Sequence, residues 1–175
     1  MTVMVLELRA PQGHDLAALR PVVPGLVNYL LSFVYLGIYW NNHHHMFHAV
    51  QRVNGNILWA NNHLLFWLSL VPFSTAWMAE SHYAATPTAI YGATLLMNGL
   101  AYTILVRTIL RFEGPDSKLA GALGSDIKGR LSLVIYALAI LLALFAWPWM
   151  AWVLYAVVAL MWLIPDPRIE RHLAH

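Results

Sequence analysis

Five long apolar stretches alternate with polar connectors along the chain, at about 22–42, 57–78, 88–110, 131–147 and 149–164. Each comes near the roughly 20 apolar residues that a helix needs to cross a bilayer. The last two are shorter and flank Pro148, so they read as two short spans or one broken helix. Ahead of them, Met1 to Leu8 is apolar but interrupted by Glu7, too short to span, and lacks the basic start of a signal peptide. Arg9 to Pro21 is a polar connector containing Pro11, Gly13 and Asp15. The first full span ends in Tyr35, Tyr39 and Trp40, expected as interfacial belt residues, with a histidine cluster directly after it. The second carries Asn61, Asn62, His63, Ser69 and Pro72, polarity that within a span is expected to face protein. Glu80 to Thr86 reads as a turn, and Pro87 suits the first turn of the third span. There Ala85, Ala89 and Ala93 repeat at a spacing that favours close helix packing. Glu113 to Arg130, rich in glycine with Pro115, Asp116, Ser117 and Lys118, reads as an aqueous loop.

Composition turns this pattern into a fold class. Of 175 residues, 60% are hydrophobic and 10% charged, and the mean hydropathy is +0.60, beyond the range of a soluble domain of this size. The expectation is an all-α polytopic membrane protein forming a single transmembrane domain over residues 1–175. The absence of cysteine excludes disulfides, thiolate metal sites and a cysteine nucleophile. A net charge of +2 from so few charges speaks to topology rather than to nucleic-acid binding. Arg52, Arg107, Arg111, Lys118, Lys128, Arg130, Arg168 and Arg171 account for eight of the ten basic residues and fall on one side if the last two spans form a hairpin. That side is then cytoplasmic and includes the C-terminus, leaving Arg9 and Arg20 outside. By parity the first full span starts outside, so Met1 to Leu8 is expected to be the outer stub of a first helix whose inner half is missing.

Candidate chemistry concentrates in Tyr39 to His48, where four of nine histidines sit within six residues after Asn41 and Asn42. His44 and His48 are four apart and His45 and His48 three apart, so each pair shares a helix face and can offer imidazole nitrogens to a metal. A histidine-dependent membrane metalloenzyme built on His44, His45 and His48 is therefore one reading, with His63 joining from the next span. Membrane di-iron sites need about eight such ligands in several boxes. At most five inner-side histidines are present outside the tail, at 43, 44, 45, 48 and 63, so interfacial polarity and packing hydrogen bonds explain the cluster more simply. Trp59, Asn62, Phe66, Ser69 and Phe73 follow a three-four spacing that marks a helix contact face. Trp147, Trp149, Trp152 and Trp162 read as belt anchors, and Arg107 and Arg111 sit where their side chains can snorkel. Glu7 at the outer end of the stub reads as solvated.

The order of Val-Leu-Glu-Leu-Arg-Ala-Pro, Tyr-Leu-Leu-Ser-Phe, Tyr-Trp-Asn-Asn-His-His, Leu-Trp-Ala-Asn-Asn, Leu-Val-Pro-Phe-Ser-Thr and Trp-Leu-Ile-Pro-Asp resembles the transmembrane protein 175 family, potassium-permeable channels of lysosomes and prokaryotes. The resemblance runs from residue 2 to about residue 170. It implies a six-helix channel protomer, here five full spans plus a stub, with four protomers around one pore lined by the first helix. The family's Phe-Ser-Asp motif is absent from this chain. By position, Thr2, Val3 and Leu6 match pore-lining residues, and Val3 and Leu6 share a helix face, as an apolar ring that gates by dewetting requires. Trp40, His44 and Asn62 match positions near the inner ends of the second and third family helices, where an interhelical network would hold the pore helix in register. The implied function is passive conduction of potassium, and of other monovalent cations, with no reaction, cofactor or resident metal. The implied setting is a homotetramer in the lipid bilayer of a prokaryotic plasma membrane. Neither a Thr-Val-Gly-Tyr-Gly filter nor an arginine series for voltage sensing occurs, and a non-conducting assembly on the same helices is the remaining alternative.

Overall fold

A computed structural model describes residues 15–20, 22–115, 117–123, 126–145 and 147–163. After a 3-10 turn at Leu16–Leu19 come seven helices: α1 (Val23–Ala49), α2 (Gly55–Ser69), α3 (Val71–Glu80), α4 (Ala85–Glu113), α5 (Lys118–Leu123), α6 (Ile127–Leu144) and α7 (Pro148–Leu163). Strands are absent from the described residues. α4 is the hub, packing directly on α2, α3, α6 and α7, while α1 lies against α3, α5 and α7. By length and apolarity α4 and α6 can each cross a membrane, and α7 is a shorter apolar helix. Only 22% of the apolar window of α6 is buried in the protomer. Its Ile127, Leu131, Val134, Leu138 and Leu141 form an outward stripe, with Val153, Val157 and Leu160 similarly exposed on α7. Such a surface suits lipid and would be insoluble in water.

Several boundaries differ from the sequence expectation. α1 runs seven residues past 42 and absorbs the histidine cluster, because Asn41 to Ala49 contains neither Gly nor Pro to stop it. It ends where Val50 turns extended and its N–H closes on the Phe47 carbonyl. The span expected over 57–78 is two helices that break at Leu70. Pro72 has no N–H to give to Leu68, so the ladder is interrupted there. Beside the break Asn98 on α4 donates from Nδ2 to the Trp67 carbonyl at 3.3 Å, an oxygen that also accepts from Leu70 N at 3.2 Å, and to Thr94 O at 2.9 Å. The stretch 113–130 is not all loop, since it holds α5 and the first turn of α6, where Asp126 caps Gly129 N. The last two apolar stretches are separate helices, antiparallel by the 2.8 Å hydrogen bond from Trp162 Nε1 near the end of α7 to Ser132 Oγ near the start of α6.

Tyr35, expected at the interface, is 2% exposed and belongs to the core. Its hydroxyl donates to the Tyr155 carbonyl, and the Tyr155 hydroxyl in turn donates to Thr88 O at 3.1 Å. With Tyr91 and Tyr136 these rings form edge-on and tilted contacts at centroid distances of 5.3 to 6.3 Å, joining α1, α4, α6 and α7. Space for the Tyr155 hydroxyl exists only because residue 92 is glycine: a Cβ there would lie 2.1 Å from that oxygen. Of the alanine series, Ala89 is buried and Ala85 and Ala93 are half-buried, and the tightest approach on α4 falls at Gly92 beside them.

Gly92→Ala is therefore expected to destabilise the detergent-solubilised protein by about 1–3 kcal/mol through overpacking against the Tyr155 ring. Gly37→Ala on α1, with nothing within 4 Å of the new methyl, is expected to be neutral or to gain up to about 1 kcal/mol of helix propensity. Thermal unfolding of the two variants side by side checks the contrast, and equal melting temperatures would refute it.

Candidate functional site

Because α1 is helical through residue 49, His43 turns to α2 while His44, His45 and His48 keep ring contacts with one another. Met46 and Ala49 enter the core with Ile57, Leu64, Leu105 and Ile109. His43, half-buried, donates from Nε2 to Asn61 Oδ1 on α2 at 2.6 Å, and its ring lies 4.6 Å from that of Phe47. His44 and His48 are exposed on the opposite side. His44 stacks on Trp40 at 5.3 Å with the planes 11° apart, and on its other side meets the edge of His48 at 4.5 Å. His45 is half-buried, 6.0 Å from His44. Among the described residues no three His, Asp or Glu side chains converge as a metal site would require.

The three residues expected in an interhelical network thus occupy one kind of place. Trp40, at 60% exposure, His44 and Asn62 all project away from the core of their own protomer. The polar bond between the helices is made one position earlier on each, by His43 and Asn61. The reason is angular: on α2, Ile57, Ala60 and Leu64 define the buried side, which leaves Asn62 on the opposite face with Trp59 and Phe66. Phe73 on α3 is exposed as well. Thr2, Val3 and Leu6, and also Glu7, lie outside the described residues.

Two features of this end of the protein escaped sequence reading. Glu113, the last residue of α4, accepts the backbone N–H groups of Gln51 (2.5 Å) and Arg52 (3.4 Å), so its carboxylate fastens the α1–α2 connection to the hub helix. A carboxylate near Gly114 gave no sign in the sequence of a partner 61 or 62 residues away. The second is the entry into α2, where Asn54 Oδ1 caps Ile57 N at 3.0 Å; Asn-Gly before an apolar run is the signal that could have found it. Between α1, α4, α6 and α7 lies a pocket of about 40 Å³ bordered by Tyr39, Asn42, Tyr102, Ser132 and Trp162. It holds a few water molecules at most. It is no passage across a hydrocarbon layer about 30 Å thick.

Residues 1–72 match the family described as endosomal/lysosomal potassium channel TMEM175. A potassium channel of Chryseobacterium sp. (strain P1-3) is 52% identical over 173 residues, covering 99% of this chain and 90% of that protein. A potassium channel of Streptomyces collinus is 32% identical over 116 residues, 60% of this chain and 55% of the relative. Among solved structures, the crystal structure of a lysosomal potassium-selective channel TMEM175 homologue from Chamaesiphon minutus superposes with a TM-score of 0.72. That match covers 93% of this chain and 87% of the other at 24% identity, and it shows the fold.

For the His43–Asn61 pair the expected outcome of a double-mutant cycle with His43→Phe and Asn61→Leu is a coupling of about 0.6 kcal/mol, the usual worth of a hydrogen bond between membrane helices. The same cycle on His44 and Asn62 within a single protomer should give no coupling. Unfolding by a denaturing detergent reads both, and additive effects at 43 and 61 would remove the pair's structural role.

Proposed function

The chain belongs to the TMEM175 family of potassium channels, and we propose on that premise that it is one protomer of a homotetramer conducting potassium passively through a central pore. The observation that carries this is the 52% identity along nearly the whole of both chains to a potassium channel. The chain is a channel subunit and not an enzyme, and the metalloenzyme reading of His44, His45 and His48 is set aside on that ground. In the proposed arrangement Thr2, Val3 and Leu6 line the pore, where an apolar ring at Val3 and Leu6 controls ion passage by dewetting. One feature of the protomer supports a pore between copies: Trp40, His44 and Asn62 are directed away from its own core. Polar side chains in a membrane protein seek protein or water rather than lipid, so His44 and Asn62 are assigned to contact the pore helix. We assign the assembly to a prokaryotic plasma membrane, supported by its bacterial relative, with the C-terminus cytoplasmic in keeping with the distribution of basic residues. Other monovalent cations share the same pore, since an apolar ring without a carbonyl filter gates by wetting.

Purified protein in liposomes loaded with potassium is expected to release it down its gradient when a proton ionophore balances charge, and release no faster than from protein-free liposomes would overturn the channel reading. Leu6→Asn should raise basal flux by wetting the constriction. His44→Ala and Asn62→Ala should lower tetramer yield or flux, and wild-type behaviour in both would dismiss their role against the pore helix.

A further inference from the structure

Beside the histidine region, on the far side of α2, an open groove of about 540 Å³ runs between α2 and α4. We propose that it is a binding site for the headgroup and upper acyl chain of an anionic phospholipid. The inference goes beyond the conduction reading and does not depend on it.

The groove is divided in the way an amphiphile requires. Its polar wall consists of Arg111, Asn54, Asn56, Thr108 and His63, and no carboxylate lines it. Arg111 is exposed and has no ion-pair partner among the described residues. The remaining polar groups offer mainly donors. Asn54 uses its Oδ1 to cap Ile57 N, which leaves its amide N–H groups available. His63 accepts from Trp67 Nε1 at Nε2 (3.0 Å), which puts its own proton on Nδ1 and makes that atom a donor. The Thr108 hydroxyl proton is spent on Ile104 O at 2.8 Å. The first N–H groups of α2 open at the same end, beside a guanidinium that can grip phosphate through two parallel hydrogen bonds. The combination of one uncompensated cation with several donors and no acid selects a singly charged phosphate ester over a zwitterion, whose ammonium group finds no carboxylate here.

The apolar wall makes a lipid, rather than a soluble phosphate, the occupant. Trp59, Ala60, Ile104 and Phe112 complete the lining. Trp59 is 76% exposed and Ile104 47%, so a large apolar surface stands open beside the arginine. Because α2 starts where α4 ends, Asn54 and Asn56 lie by Arg111 and Phe112, and the groove then passes Trp59 and Ile104 toward the middle of both helices. A headgroup at Arg111 would lay its glycerol and first acyl carbons along that wall. Arg107, exposed one turn before Arg111 on α4, adds a second positive charge at the edge.

Native mass spectrometry of the detergent-purified protein, with phosphatidylglycerol and phosphatidylcholine of identical acyl chains, tests this. The wild type is expected to retain phosphatidylglycerol preferentially, Arg111→Gln to lose about five-fold in that retention, and Arg111→Lys to keep most of it. Ile104→Trp, which fills the apolar half and leaves the arginine in place, should lower retention of phosphatidylglycerol as well, and glycerol phosphate at millimolar excess should not displace the lipid. Equal retention of the two lipids, unchanged retention in both Arg111→Gln and Ile104→Trp, displacement by glycerol phosphate, or a change of oligomeric state in Arg111→Gln that marks the groove as a subunit interface would each overturn the proposal.

Discussion

The Tyr155 hydroxyl lying over Gly92 is the contact on which the packing of the half away from the histidines depends. It reaches Thr88 O across a place where any side chain would block it, and the Tyr155 backbone carbonyl receives the hydroxyl of Tyr35. One residue of α7 thereby ties α4 to α1, with Tyr91 and Tyr136 closing the ring contacts around it. In a membrane the hydrophobic effect gives helices little reason to prefer one another to lipid, so close packing and satisfied hydrogen bonds must set their arrangement. A glycine that admits a tyrosine supplies both at once.

The histidine half uses a different device for the same purpose. α1 does not approach α4 closely here; the gap is bridged by long side chains, as in the edge-on pair Tyr39–Tyr102 at 6.3 Å, and it leaves the small pocket beside them. The bond from His43 to Asn61 and the Glu113 carboxylate on Gln51 and Arg52 then close this end around the hub. Pro72 contributes by breaking the α2–α3 crossing. Beside the break Asn98 donates to the Trp67 carbonyl, which ties the end of α2 to the middle of α4.

Much of the architecture was legible from residue order because its cause is local. Apolar length marked α4 and α6 as long enough to cross a membrane, and Pro148 between the last two apolar stretches marked where α7 begins. What could not be read depends on neighbours distant in sequence. Tyr35 at the end of an apolar run is indistinguishable from a belt tyrosine until Tyr155, 120 residues on, is known to accept from it. His43 and His44 are equivalent in sequence, and only the buried side set by Met46 and Ala49 on α1 and by Ile57 and Leu64 on α2 decides which of them bonds across. The motif-level match to Trp40, His44 and Asn62 therefore marked an outward face, whereas the inward pair lay one residue away on each helix.

That outward face and the lipid stripe together constrain how copies can assemble. Apart from Arg130 in the first turn of α6, the large exposed side chains of α6 and α7 are Leu, Ile, Val and Trp, which lipid accepts without loss. The exposed surface of α1 and α2 carries His44, His48 and Asn62 among its aromatics, and such groups facing acyl chains would be unpaired. A protomer with one face that tolerates lipid and another that does not has a preferred orientation before any partner is specified. Placing α6, α7 and the α2–α4 groove toward lipid and the side of α1 and α2 that carries Trp40, His44 and Asn62 toward protein leaves the fewest polar groups unpaired, and it puts the histidine-bearing helices on the side where the proposed pore must run.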